Sequence, residues 1–503
     1  MSDKKTYTLG SLFDGSGGFP LAGSLCGIRP VWAAEVEPYP IAVTRSRFPD
    51  MRHLGDISKI NGAEIEPVDI ITFGSPCQDL SVAGKRAGLK HEANGDEETT
   101  RSGLFMEAVR IFKEMREATN GIYPRIALWE NVPGAFSSNK GEDFRIVLEE
   151  LIKIVEPDAV MPPVPKAGWA YADSYAGDGW SLAYRVFDAQ YWGVSQRRRR
   201  IHLVVDFRGG CAREILFERE GLRGYFAEGR TPWQRPTVPA QNCSGAEDRE
   251  GENAVGHGQY LFENHSQDTR YKGPLNVCPM LPAQLGTGGN NTPFVVESYP
   301  VAYNGENITS PLNKTNPQPG DPCHTLGTDS RNYIVFAQNQ REEVRDLNGK
   351  AVALNAQPGT HQQTFDAQLK PCYIVRRLTP TECARLQGFP DMWGVPDQKD
   401  DFTDEEYRFW LDVRNTHAEI NGKAIKEYTK DQMLKWYNKL HTDGAEYKMW
   451  GNGIALPPAL YCMQGIVEAI KKGEATNEYT ESNCPKGPAQ AERGEPATHS
   501  SAV

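Results

Sequence analysis

Nowhere in the 503 residues do eighteen or more apolar residues run together, so no segment reads as a transmembrane helix. The opening Met1-Ser2-Asp3-Lys4-Lys5 has no apolar signal core and leads into a strand-like segment, and the expectation is a soluble, cytoplasmic protein. Cysteine is sparse: ten residues at positions 26, 77, 211, 243, 278, 323, 372, 383, 462 and 484, with no Cys-x-x-Cys pair. That density excludes a disulfide scaffold, argues against structural zinc, and leaves no metal site to expect. Positive charge is not in excess either, since 55 Lys and Arg against 66 Asp and Glu give a net charge of -11. A basic nucleic-acid coat protein is disfavoured, although net charge governs solubility and steering and leaves room for a local cationic groove. What the chain does have is 39% hydrophobic residues, enough to bury one large core and a second, smaller one, so a disordered or fibrous protein is excluded.

From residue 6 to about 206, short apolar runs alternate with helical patterns, the signature of a parallel sheet covered by helices. Strands are expected at Tyr7–Phe13, Pro30–Glu35, Val68–Phe73, Arg125–Glu130, Leu182–Asp188 and Arg200–Asp206. The clearest helix carries Leu104, Phe105, Ala108, Val109, Ile111, Phe112 and Met115 at helical spacing. Met161–Trp180, rich in Pro, Gly and aromatics, reads as a surface excursion. From 209 to 373 the texture changes to Gly, Pro, Asn, Gln and Thr with short β-like pieces, a second, loop-rich β domain in which a loose theme recurs around Phe294-Val295-Val296, Tyr333-Ile334-Val335 and Tyr373-Ile374-Val375. Residues 399–446 read as a charged helical insert and 448–472 as an apolar helix. The division expected is therefore 1–208 for the first domain, 209–373 for the β domain, 374–472 for its remainder and the returning helix, and 473–503 for a disordered tail.

Within the first domain, Phe13-Asp14-Gly15-Ser16-Gly17-Gly18-Phe19 is a strand entering a glycine turn and then a helix, as a nucleotide-binding α/β site requires. A dinucleotide fingerprint needs glycine at position 20, where Pro20 stands, so a pyrophosphate site is disfavoured. Glu35 and Glu37 lie where an acid would bond ribose hydroxyls, and an adenosine-bearing ligand without a pyrophosphate fits better. A tight turn with no ligand remains the other reading.

Strand Val68–Phe73 ends in Gly74-Ser75-Pro76-Cys77-Gln78, at the carboxyl edge of the sheet where such folds bind ligands. Lone cysteines are usually buried packing residues, but Pro76 fixes φ and Gly74 permits close approach, which places Cys77 for chemistry. The polar, glycine-rich run Gln78–Arg101 is the candidate closing loop. Strand Arg125–Trp129 delivers Glu130 to the same edge, to hold a proton or to cap a loop. Four arginines, Arg197 to Arg200, open the last strand, and alternation puts Arg198 and Arg200 on one face, leaving the other pair to solvent or backbone phosphates.

Taken in order, these segments resemble the cytosine-C5 DNA methyltransferase family of restriction-modification or phage type. The pieces are Phe13 to Phe19, Gly74-Ser75-Pro76-Cys77-Gln78, Glu130-Asn131-Val132, Gln196 to Ile201, Arg377-Leu378-Thr379-Pro380 running to Gly388-Phe389-Pro390, and Gly451-Asn452-Gly453-Ile454. The resemblance implies a mostly parallel Rossmann-like sheet with a smaller β-rich target-recognition domain, double-stranded DNA between them, S-adenosylmethionine as cofactor and S-adenosylhomocysteine as product. It implies a monomer with no obligate protein partner and no membrane. By similarity, Phe13 packs on the adenine, and Asp14, Gly15, Gly17, Gly18 and Pro76 line the cofactor; Glu35 takes the ribose, Asp56 and Ile57 flank the adenine, and Asn452 returns to the cofactor side.

The same resemblance makes Cys77 the nucleophile on carbon 6 of a flipped-out cytosine and Glu130 the group at ring N3, with Arg198 and Arg200 holding the base. Arg199 stands where many members have a glutamate, and the excursion and the 399–446 insert exceed a minimal member. Base reading is expected in 209–373, with Arg331 one candidate contact. Two alternatives stay open: an RNA cytosine methyltransferase on the same scaffold, and a catalytically silent DNA-binding protein.

Overall fold

In the computed structural model, the described residues are 6–75, 103–217, 259–264, 271–282, 293–299, 372–482 and four two-residue strands between 303 and 345. The first domain is built on an eight-stranded sheet. Its parallel half is β1 (Thr8–Leu12), β2 (Arg29–Ala34), β3 (Arg52–His53), β4 (Ile70–Phe73) and β5 (Ile126–Asn131), in the order β3-β2-β1-β4-β5. β4 and β5 are buried at every position, as strands covered on both faces are, which is why they read as mostly apolar runs, interrupted only by Thr72 and by Glu130-Asn131 at the end of β5. Past β5 the order continues β8 (Arg199–Asp206), β7 (Trp180–Asp188) and β6 (Ala172–Gly177), with all three junctions antiparallel. All six expected strands are present, with ends shifted by at most two residues.

The Met161–Trp180 reading needs correction. Part of it is the edge strand β6, joined to β7 through the Gly177 to Trp180 turn, and Met161, Trp169 and Trp180 are buried. An edge strand with one face in solvent carries no apolar run, so Ala172–Gly177 gave no strand signal.

Helices close both faces. α1 (Gly18–Leu25), α5 (Ala212–Leu216) and the C-terminal α10 (Leu456–Ser482) cover one; α3 (Gly103–Ala118) and α4 (Glu142–Ile152) cover the other. α3 buries Phe105, Ala108, Val109, Ile111, Phe112 and Met115 along a single stripe. α10 packs on α1 and α5, with Cys462, Met463 and Ile466 fully buried among Phe19 and Ala22, so this helix adds to the first core. It is helical to Ser482, nine residues past the expected start of the tail at 473; residues 483–503 lie outside the described residues.

One contact inside the sheet is demanding. The Trp32 ring lies over Gly10, and a Cβ at Gly10 would sit 2.2 Å from it. Gly10→Ala is expected to cost roughly 1–3 kcal/mol through overpacking, read as a lowered midpoint of urea unfolding; an unchanged midpoint would mean that the indole shifts freely.

The second domain centres on an antiparallel sheet of β9 (Gln259–Asn264), β10 (Tyr271–Leu275), β11 (Pro293–Tyr299) and β16 (Cys372–Arg377), ordered β10-β9-β11-β16. Two small pairs, β12 (Tyr303–Asn304) with β13 (Asn332–Tyr333) and β14 (Ala337–Gln338) with β15 (Val344–Arg345), complete the described part. β16 pairs with β11 from Cys372 to Arg377, so the boundary expected at 373 falls inside a strand and moves to its end. Arg331 lies outside the described residues.

The charged insert forms helices as expected. After α6 (Pro380–Leu386) come α7 (Asp404–Ile420), α8 (Lys430–Tyr437) and α9 (Asp443–Asn452), and Thr379, Thr403 and Thr429 each close a reciprocal capping box at a helix start. Phe402, Trp410, Val413, Met433 and Tyr437 form a small core against Ile41 and Ala42 of α2 (Pro38–Arg47). Among the described residues no single helix is long and apolar enough to cross a membrane.

Candidate active site

β1 is flanked by β2 on one side and β4 on the other, so strand order reverses at its carboxyl end, the crevice where open α/β sheets bind ligands. The glycine turn fills that crevice. Gly15 and Gly17 have φ of +54° and +75°, and Phe13 joins them at +58°, a left-handed conformation that an L side chain adopts only when its surroundings impose it. Glu35, at the end of β2, accepts from the Gly15 N–H at 2.8 Å through one oxygen and from the N–H groups of Val36 and Glu37 through the other. Burial raises its pKa against the pull of those three bonds.

Glu37 faces elsewhere. It pairs with Lys448 at 2.9 Å and with His417 at 3.6 Å, and His417 foremost holds its pKa down at about 2. Of the two acids read from the sequence, Glu35 meets the turn and Glu37 meets the insert. Asp56 accepts from the Ser58 N–H at 3.0 Å, beside the buried Ile57.

Two buried oxygens of the turn, Asp14 Oδ2 and Ser16 Oγ, have no hydrogen-bond partner among the described residues. Asp14 Oδ1 accepts from Ser11 at 2.7 Å; burial nonetheless pushes the carboxyl up to about 7, with Ser11 lowering and Glu35 raising it. Because the folded pKa lies above the unfolded one, the native state holds this proton more tightly, and wild-type stability falls as pH rises from about 4 to about 7. At roughly 1.4 kcal/mol per pKa unit, Asp14→Asn should gain on wild type by a few kcal/mol between those limits. Urea unfolding of both proteins at either end of that window checks this; a constant difference would place the carboxyl in contact with water.

The sequence reading missed what holds the turn from outside. Trp393 Nε1 donates to Ser16 O at 2.8 Å, and Cβ atoms built at Gly18 and Gly453 would meet Ile454 at 2.5 Å and Ser16 Oγ at 2.9 Å. Gln387, fully buried, donates to Trp450 O and receives the Leu456 N–H on its carbonyl. Asn452 is exposed, and it is the adjacent Gly453 that abuts the turn. The motif Gly451 to Ile454 pointed to the right segment, and its glycine was the signal for close approach.

The second cluster lies at the ends of β4, β5 and β8. Ser75 is buried and pinned to β5: Trp129 Nε1 donates to its hydroxyl at 3.2 Å and Asn131 to its carbonyl at 3.5 Å. Gly74 faces Glu130, its Cβ position 3.8 Å from Oε2. Pro76, Cys77, Gln78 and the expected closing loop to Arg101 lie outside the described residues, and the chain reaches Cys77 two residues after Ser75. Glu130 is 8% exposed and forms an ion pair with Arg200 Nε at 3.2 Å. Burial raises its pKa, outweighing the lowering by Arg200 and Arg198.

Arg198 and Arg200 share the inner face, as alternation along the strand required. Arg198 donates to the carbonyls of Gly453 and Gly451, tying the acid pocket to the segment that clamps the glycine turn. Burial, then Arg200, pulls its pKa down to about 9, still charged at neutral pH, while Glu130 raises it. Arg200 also reaches Met280 Sδ at 3.5 Å, and Cys278 exchanges backbone bonds with Ser195 and Arg197, so the β domain touches the start of β8. The same alternation leads on to His202, paired in register with Glu130, buried, and lowered by that burial to about 3, hence neutral. A buried carboxyl of raised pKa, two guanidiniums and a neutral imidazole are therefore gathered at these strand ends, linked to the glycine turn through Arg198 and Gly453.

Fold and site together define the class: a doubly wound α/β protein with a glycine turn at its switch point and a buried acid–guanidinium cluster linked to it. Within that class, the chain belongs to the C-5 cytosine-specific DNA methylase family, whose family model matches residues 7–154 and 172–409. The interruption falls at the start of the aromatic excursion. The chain is 26% identical to a protein of Escherichia phage P1 named DNA N-6-adenine-methyltransferase, over 94% of this chain and 63% of that one. It is 30% identical to the Type II methyltransferase M.BsuFI of Bacillus subtilis, over 38% of this chain and 37% of that one. It is 25% identical to the Type II methyltransferase M.Bsp6I of a Bacillus species, over 57% and 80%. The chain thus spans less than two thirds of the length of the first two of these relatives.

Proposed function

We propose that this chain transfers a methyl group from S-adenosylmethionine to carbon 5 of a flipped-out cytosine in a specific sequence of duplex DNA, through a transient bond to Cys77. The observation that carries the reading is Glu130, buried, raised in pKa by that burial and paired with Arg200, on the strand that holds the Ser75 leading into Pro76-Cys77. The glycine turn fits the cofactor: Asp14 Oδ2 and Ser16 Oγ are buried acceptors in want of donors, which the ammonium and ribose hydroxyls of S-adenosylmethionine possess. Asp14, Gly15, Gly17, Gly18 and Glu35 would hold it, with Phe13 and Ile57 on the adenine, Asp56 and Asn452 at the rim, and Pro76 leading from this crevice to Cys77. When bound, it supplies a methyl group activated on a sulfonium.

Carbon 5 of cytosine is a poor nucleophile while the ring is aromatic. The Cys77 thiolate forms a bond to carbon 6, and the ring electrons move toward N3, where Glu130 supplies a proton and Arg200 steadies the exocyclic oxygen. Carbon 5, now enamine-like, takes the methyl group, loses its own proton, and the carbon–sulfur bond breaks to restore the ring. The base must leave the stack, at a cost of about a few kcal/mol, and Arg198 keeps the pocket that receives it in register with the cofactor turn. Base reading falls to the β domain, 209–373.

The adenine specificity in the name of the phage P1 relative defines the second reading, and that name covers a protein of which this chain spans 63%. Adenine N6 carries its own lone pair and needs neither a thiol on the ring nor a protonated acid at N3, so Cys77 and Glu130 favour cytosine. The test is incubation with labelled S-adenosylmethionine and either duplex DNA or tRNA, followed by nucleoside analysis. Label in 5-methylcytosine from DNA is expected; label in N6-methyladenine, only in tRNA, or nowhere overturns the proposal. Bisulfite sequencing of DNA from expressing cells then gives the recognised site.

A further inference from the structure

The four consecutive arginines divide between two surfaces. Arg198 and Arg200 turn inward, whereas Arg197 and Arg199 are exposed and line a surface cavity of about 530 Å³ together with Tyr171, Asp188, Gln190 and Tyr191. Arg199 pairs in register with Asp188 on β7, so alternation puts this cavity on the face of the sheet opposite the acid pocket. Tyr171 and Tyr191 are 59% and 66% exposed, and the Arg199 guanidinium lies over the Tyr171 ring, 4.7 Å from its centre.

Two cations face one carboxylate there, Asp188, among the described residues. Asp188 Oδ1 accepts from the backbone N–H groups of Arg198 at 3.1 Å and Gln190 at 3.4 Å, and Oδ2 accepts from the Gln190 amide at 2.7 Å. Its acceptors are engaged in holding the loop, and neither Arg197 nor Arg199 has a carboxylate partner within salt-bridge distance among the described residues. The Arg197 guanidinium, the Arg199 guanidinium stacked on Tyr171, and the exposed Tyr191 ring are groups of the kind that bind single-stranded nucleic acid, cations tracking phosphates while planar faces take bases.

We propose that this cavity is a second nucleic-acid subsite, holding phosphates and one unstacked base of the DNA outside the catalytic pocket. The proposal rests on the reading of the chain as a DNA methyltransferase, in which extruding a base leaves its partner unpaired and its neighbours unstacked. It assigns a role to the aromatic excursion, which supplies Tyr171, and to Arg199, whose charge the catalytic pocket does not use.

The test uses the full chain and two short fluorescein-labelled duplexes, one perfectly paired and one with a single unpaired base, titrated across a range of KCl concentrations. For the double substitution Arg197→Ala, Arg199→Ala, the slope of log affinity against log salt should fall by roughly 0.9 for each phosphate released, with affinity for both duplexes about tenfold weaker at low salt. Tyr171→Ala should weaken the duplex with the unpaired base more than the perfect one, and Tyr171→Phe should retain both. S-adenosylmethionine binding, measured in parallel, should stay unchanged and certifies the fold. A wild-type salt slope in the arginine variant, or equal binding of the two duplexes by wild type and Tyr171→Ala alike, overturns the subsite while leaving the enzymatic reading intact. Failure of wild type to bind either duplex overturns both.

Discussion

Replacing Cys77 by serine is expected to lower methyl transfer to DNA by about 10⁴-fold or more, while the affinity for S-adenosylmethionine stays nearly unchanged. A serine hydroxyl is not ionised at neutral pH, whereas a free thiol already has a few per cent of thiolate there, and positive charge nearby increases the fraction. Arg198 and Arg200 bring that charge to the strand edge that Gly74 and Ser75 lead into. If cofactor affinity fell in parallel with turnover, the thiol would be structural. Duplex DNA containing 5-fluorocytosine gives the complementary result. After methyl transfer, carbon 5 of that base holds fluorine instead of a removable proton, so elimination stops and the protein should remain bound to DNA through denaturing electrophoresis. Trapping should be complete for wild type and absent for Cys77→Ser; wild-type protein that is never trapped would remove the covalent step.

How far the sequence anticipates this arrangement depends on the kind of force involved. The inner strands were readable because burial on both faces favours apolar residues at nearly every position, as in Ile70–Phe73, where only Thr72 is polar. The inward pair Arg198 and Arg200 followed from strand alternation alone, and His202 would have followed by one more step. β6 gave no signal because an edge strand meets solvent on one face. The contact between Trp393 and Ser16 joins residues 377 apart, and no local pattern encodes such a partner. Glu35 and Glu37 looked equivalent as acids two positions apart; what separates them is His417 of the insert and Lys448 just beyond it, which engage one and leave the other to the glycine turn. The insert therefore packs on α2 beside the glycine turn and helps fix which of the two carboxylates faces that turn.

Glu130→Gln should lower kcat at neutral pH by about 10²- to 10⁴-fold, the usual range for a positioned acid, and should alter the pH profile as well. Burial favours the neutral form of this carboxyl, so its folded pKa is raised even with two guanidiniums opposing the shift. A protonated Glu130 can donate to ring N3; as pH rises through the raised pKa the donor is lost and kcat should decline. Glutamine keeps the shape and a donor N–H but has no proton to transfer or lose, so the variant should show a low rate without that decline. The Arg200 partner makes the two effects separable. Arg200 Nε lies 3.2 Å from Oε1, and the glutamine carbonyl leaves an acceptor for it, so the pocket remains assembled and KM for DNA should change far less than kcat. A KM effect with an unchanged pH profile would instead make Glu130 a residue that positions Arg200, and the proton at N3 would then have to come from another group.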